Sequence, residues 1–217
     1  MSTFPGSPSI LKGGIVLLDP DSGLALQTIV LQYNPDTLTR TLQVQGIGPE
    51  PGDRLEALRL KAPPLEAFKL EAEIDATDQM EAGDQTTGQL GIYPELAALE
   101  MLAYPSSAQL RGNQSQSQSG TLEIAPMEAP MAVFVWSRQR VLPIRLTDFS
   151  ITEEAFDANL NPIRAKVSLG MRVLTVNDLG FSHRGGNLFM TYLQQKEQLA
   201  VKGPAGAISS LGLRSIS

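Results

Sequence analysis

Phe68-Lys69-Leu70-Glu71-Ala72-Glu73-Ile74 gives every second side chain the same character. Phe68, Leu70, Ala72 and Ile74 share one face, and Lys69, Glu71 and Glu73 share the other. That is the period of a half-buried β-strand, not the three-and-four spacing of a helix. Ala165, Val167, Leu169, Met171 and Val173 repeat the alternation in the second half of the chain.

Working outward, Gly14-Ile-Val-Leu-Leu18 reads as a short buried strand. Asp19-Pro-Asp-Ser-Gly23 reads as a tight turn, and residues 25–32 as the returning strand of a hairpin. Asn34-Pro35-Asp36 turns the chain into an alternating strand over 38–45. Met131 to Trp136 is a continuous apolar run, reversed at 137–140 into 141–151, and Asn159-Leu-Asn-Pro162 turns it again. The pattern predicts about seven or eight antiparallel strands without βαβ crossovers, hence a mainly β (α+β) domain, a sandwich or barrel. Helix is expected over 94–104, where Pro94 suits a first turn and Pro105 a stop. A second helix is expected over 187–202, capped by Asn187. Residues 46–64, dense in Pro and Gly, read as a long loop, as do the polar run 113–119 and the Gly-rich segment 181–186. The resulting division is an arm at 1–11, a β domain at 12–178, and a loop, helix and tail at 179–217.

The formal net charge of −6 argues against nucleic-acid binding, which needs clustered Lys and Arg. The absence of cysteine removes disulfides and thiolate metal sites. No run has the length of an apolar membrane span, and residues 1–11 lack the basic and apolar regions of a secretory signal. Assembly in the cytoplasm without direct membrane insertion is the expectation.

Candidate chemistry is sparse. His183 is the sole histidine, set in Phe181-Ser-His-Arg-Gly-Gly186, and reads as a surface residue on a mobile turn rather than a catalytic base. Asp75, Asp78, Glu81 and Asp84 form an acidic segment without the spacing of an EF-hand loop, so a solvated loop is expected there. Glu153-Glu154 is a poor carboxylate pair, because neighbours in a strand point to opposite faces. Asn113-Gln-Ser115 matches a glycosylation sequon, and no phosphate-binding glycine motif occurs. The reading is a non-enzyme with no cofactor and no metal. A ligand- or carbohydrate-binding β-sandwich is the alternative, disfavoured by the low aromatic content and by Trp136 lying inside an apolar strand. An unfamiliar hydrolase is the third option.

The remaining candidate site is a stripe. Leu188, Phe189, Tyr192, Leu193 and Leu199 fall together on the C-terminal helix, opposite a polar run at 194–198. The stripe is expected to contact a neighbouring subunit or layer, swinging on Gly185-Gly186; packing on its own barrel is the other option.

Lys12-Gly-Gly-Ile-Val-Leu-Leu-Asp-Pro20 and Leu31-Gln-Tyr-Asn-Pro-Asp-Thr-Leu-Thr-Arg-Thr41 resemble the tube-type proteins of extracellular contractile injection systems, phage tail-like particles. Phe68-Lys-Leu-Glu-Ala-Glu-Ile-Asp75, Gly91-Ile-Tyr-Pro-Glu-Leu96 and the hairpin from Phe149 to Ala165 continue the resemblance in order, over residues 12–178. It implies a tail-tube-like barrel of two packed antiparallel sheets with a flanking helix, arranged as a hexameric ring. It implies a place in the inner tube or as a tube–baseplate adaptor, with spike, hub, tube and baseplate proteins as partners. Many related adaptors carry a C-terminal LysM module, and none is expected here after Thr175.

Overall fold

The computed structural model describes residues 10–19, 22–46, 59–118, 130–203, 206 and 208–211. Seven strands form one antiparallel sheet: β1 (Gly14–Leu18), β2 (Ala25–Val30), β3 (Leu38–Gly46), β4 (Leu60–Asp75), β5 (Met131–Ser137), β6 (Arg140–Phe156) and β7 (Pro162–Val173). Their spatial order is β2-β1-β5-β6-β7-β4-β3. The mainly β reading therefore holds. The two alternating stretches lie side by side, with Leu70 opposite Leu169 and Phe68 opposite Met171. Opposed residues share a face, so their apolar rows merge into one buried surface.

The two sheets expected from the resemblance are two parts of this one continuous sheet. β6 carries the chain from one part to the other: its first residues pair with β5, and Ile144 onward pairs with β7. The sheet is rolled. Gln32, just beyond β2, exchanges hydrogen bonds with the main chain of Asp75 at the end of β4: its side-chain amide donates to the carbonyl at 2.6 Å and its carbonyl oxygen accepts from the N–H at 2.9 Å. Five strand steps separate β2 from β4, about 24 Å in a flat sheet at ~4.8 Å each. Inside the roll Phe68 of β4 meets Phe134 of β5 with ring centroids 5.8 Å apart, and Trp136 stacks on Phe134 at 5.9 Å.

Six helices accompany the sheet in the described residues: α1 (Thr77–Glu81), α2 (Gln85–Leu90), α3 (Tyr93–Glu100), α4 (Ser107–Gln118), α5 (Val176–Leu179) and α6 (Arg184–Val201). Helix is thus less confined than expected. The acidic segment after Asp75 is helical, with no buried residue in α1 and with Asp84 capping α2 by accepting from Thr87 N–H. The polar run from Asn113 to Gln118 continues α4 rather than forming a loop. Ser106 and Gln109 bond each other's backbone N–H groups at 3.2 and 3.0 Å, a capping pair that starts this solvated helix. The loop expected to reach residue 64 ends sooner, since β4 starts at Leu60. Pro63 and Pro64 fit in it because the register with β3 slips there, where a missing N–H is tolerated. Residues 47–58, and most of the N-terminal arm, lie outside the described residues.

Candidate functional site

The chain presents three candidate surfaces: the docking face of α6, the two edges of the sheet, and the strand ends.

α6 begins earlier than expected. Its N-cap is His183, whose Nδ1 accepts from Gly185 N–H at 3.0 Å, and not Asn187. The sole histidine thus caps the start of a helix instead of riding a mobile turn. Gly185 and Gly186 sit buried in the first turn, not at a hinge. A Cβ on Gly185 would strike Leu179 and Met131, and one on Gly186 would strike the carbonyl of Gly180. Their small size serves close packing, and the contact fixes the helix. Replacing His183 with alanine should lower stability by about 1 kcal/mol, read from the urea midpoint, whereas His183→Asp, which keeps an acceptor, should retain most of it.

The expected stripe divides. Phe189 and Tyr192 are buried in the chain's own core, Leu188 and Leu193 are half-buried, and Leu199 is half exposed. Beneath the helix lies a group the sequence did not flag. Glu66 of β4, 3% exposed, accepts from Tyr192 Oη at 2.7 Å and pairs with Lys196 Nζ at 2.8 Å. Arg40 of β3 stands 3.8 Å away, and the Lys196 ammonium lies 4.1 Å from the centroid of the Tyr192 ring. Burial pushes the Tyr192 phenol up, so it stays protonated and donates. The cluster clamps α6 to β4. Replacing Glu66 with alanine leaves a buried hydroxyl without its acceptor, while Lys196, a third exposed, rehydrates. The expected cost is about 2 kcal/mol in urea denaturation, with Glu66→Gln in between because it still accepts from Tyr192.

The edges come next. β2 and β3 end the strand order, so their outer edges have no strand partner among the described residues. Leu26 and Val30 on β2, and Leu42 and Val44 on β3, leave apolar side chains exposed there. Exposed edges with such residues are templates for further strand pairing.

At the strand ends, the β6–β7 turn interlocks with the α2–α3 corner. Ile92 N–H donates to the Pro162 carbonyl at 2.9 Å and the Asn161 amide donates to the Gln89 carbonyl at 3.0 Å. Gly91, at φ 58°, has no room for a Cβ against Pro162. Arg164 donates to Asp75 at 2.7 Å, and Glu154, half of the adjacent acidic pair, bonds Lys166 at 2.8 Å. Donation from Thr77 holds the Asp75 carboxyl below the usual range, and bonds from Thr87 and Asn161 do the same for Asp84 and Asp157. No cluster of three or more His, Cys, Asp or Glu suited to a metal ion occurs among the described residues.

No protein-family model matches the chain, and no curated protein matches it. Among solved structures it is similar to a chain in the tail of an empty gene transfer agent (GTA) particle, determined by helical refinement with C6 symmetry. The identity is 10% and the TM-score 0.28, over 75% of this chain and 90% of that one. A chain of the native GTA virion gives 9% identity and a TM-score of 0.28, over 75% and 91%.

Proposed function

We propose that this chain is a non-enzymatic structural subunit of a contractile, phage tail-like injection particle, joining its copies edge to edge into a hexameric ring of the inner tube or of the tube–baseplate junction. The observation that carries the reading is the pair of unlike sheet edges, β2 and β3, at opposite ends of the strand order, without a strand partner among the described residues and each with exposed apolar residues. An interface between two different patches is heterologous, and such contacts close into a ring when the rotation allows. The sequence resemblance over residues 12–178 supplies the type of particle, the copy number and the partners: spike or hub, tube and baseplate proteins. The outward row of Lys69, Glu71 and Glu73 on β4 gives the ring a polar sheet face.

Negative-stain imaging of the purified chain, alone and co-expressed with the hub and tube proteins of its particle, tests this. Rings of uniform diameter are expected, in isolation or once templated. A chain that stays monomeric and never enters a particle under co-expression refutes the reading.

A further inference from the structure

We propose that the gap between β2 and the end of β4 is a strand-insertion site, taking an extended segment of a partner protein in which apolar and basic residues alternate. The site shares the outer edge of β2 with the proposed ring joint but does not need the ring. In a ring the two contacts would exclude each other at that edge.

The gap is a place where a strand is missing. β3 pairs with β4 only as far as Leu38 opposite Leu70, so residues 71–75 of β4 have β7 on one side and, among the described residues, no strand on the other. Gln32 stands in there. Its side-chain amide donates to the Asp75 carbonyl at 2.6 Å and accepts from the Asp75 N–H at 2.9 Å, the two-bond exchange that one residue of an antiparallel strand makes with its partner. By the two-residue repeat of a strand, Glu73 turns its own N–H and C=O to the same side. Across the gap, Leu31 N–H donates to the Gly13 carbonyl on the β1 side, so the alternate residues Thr28 and Val30 turn their main-chain groups outward. β2 and β4 form no ladder with each other. Two facing rows of main-chain donors and acceptors suit one further strand between them.

The walls suit an apolar row on one face of the occupant. A groove of about 310 Å³ runs along the gap, and every residue from Gln27 to Gln32 lines it. Alternate side chains of a strand point to opposite faces, so a groove lined by all of them follows the edge of β2 rather than either face. α3 forms the far wall, where Pro94 and Ala98 leave room. Leu31, Ile74 and Leu99, all buried core residues, close it on the inside. A strand edge beside a helix gives main-chain pairing for affinity and side-chain pockets at every second residue for selectivity.

Charge fixes the other row. Among the described residues, the groove and the adjoining recess of about 400 Å³ are lined by Asp36, Glu71, Glu73 and Glu95 and by one cation, Lys166. Lys166 is bonded to Glu154 at 2.8 Å and Arg164 to Asp75 at 2.7 Å, with Glu73 4.0 Å from Arg164. Lys12 and Lys69, on flanking segments, do not line the gap. An extended segment that lays apolar side chains on Leu31 and Ile74 turns its alternate side chains toward the outward carboxylates Glu71 and Glu73. Lysine or arginine complements them there.

A short acetylated and amidated probe peptide of alternating lysine and valine tests this on the full chain. Saturable binding by fluorescence anisotropy is expected, with amide shifts at Thr28, Val30 and Glu73 in NMR spectra. The same probe N-methylated at alternate residues, which removes the N–H donors of one edge, should lose binding. An alternating glutamate–valine peptide should bind about tenfold more weakly, and added salt should weaken the basic probe. Val30→Pro, which removes one outward N–H and is tolerated on an edge strand, should abolish binding and leave the unfolding midpoint near that of the parent. No saturable binding, equal binding of the N-methylated probe, or shifts confined to other surfaces overturns the proposal. Self-association of the free chain that Val30→Pro abolishes, with no probe bound, makes a second copy the occupant and overturns the partner protein. Rings without probe binding count against this site alone, and probe binding without rings counts against the ring joint alone.

Discussion

Truncating Phe134 to alanine should destabilise the chain by about 3–5 kcal/mol, the range for removing a fully buried aromatic ring. Phe134 is 1% exposed and lies between Phe68, which reaches it across the roll, and Trp136 on its own strand. Its removal forfeits both aromatic contacts as well as the transfer free energy, and the rigid strands on either side prevent collapse into the void. Urea denaturation with an unchanged slope should report the loss as a shift of midpoint. A change below about 1 kcal/mol would mean that the rolled sheet does not hold its two parts together through this ring.

The second large effect is on assembly, not stability. Leu26→Lys combined with Val44→Lys places a cation on each outer edge, and both positions are more than half exposed. Each substitution should leave the unfolding midpoint within about 0.5 kcal/mol, the usual range for surface sites. In the proposed ring, where β2 of one copy would meet β3 of the next, a lysine on each side of the joint disfavours strand pairing. Complete loss of rings, with single-copy folding intact by circular dichroism and sedimentation, is the expected result. Rings that persist would show that the edges are not the joint, and the proposed function would lose its main support.

How much of this was legible follows from where each element gets its stability. β4 and β7 were plain in the sequence because both span the core on one face and solvent on the other, so burial wrote a two-residue period into them. α6 showed as a stripe for the same reason. α4 did not, because Asn113 to Gln118 contains no apolar residue to mark a face. The legible signal was local, Ser106 and Gln109 at capping spacing, and composition masked it. The start of β4 was hidden by Pro63 and Pro64, which break a central strand but fit a bulge. Glu66 leaves a trace in the sequence. It precedes Phe68, Leu70, Ala72 and Ile74 at the same two-residue step, so a charged residue falls on the apolar face. Its partners Tyr192 and Lys196 lie four residues apart on one helix face, but nothing local announces that the helix docks there. Gly185 and Gly186 looked like freedom and proved to be close packing, since a glycine's role depends on neighbours distant in sequence.

The bridge from Gln32 to Asp75 has a mechanical consequence. Along every other line of the roll, neighbouring strands are joined by ladders of main-chain bonds. Here, among the described residues, the hydrogen bonds come from a single side chain, Gln32, which makes two, each worth about 1 kcal/mol net. A rolled sheet fastened by one stitch is stiff along its strands and compliant around its circumference. Tension applied at its two edges opens that stitch before it parts any pair of strands, so a shell made of such units would accommodate a change of girth within each subunit and spare the joints between them.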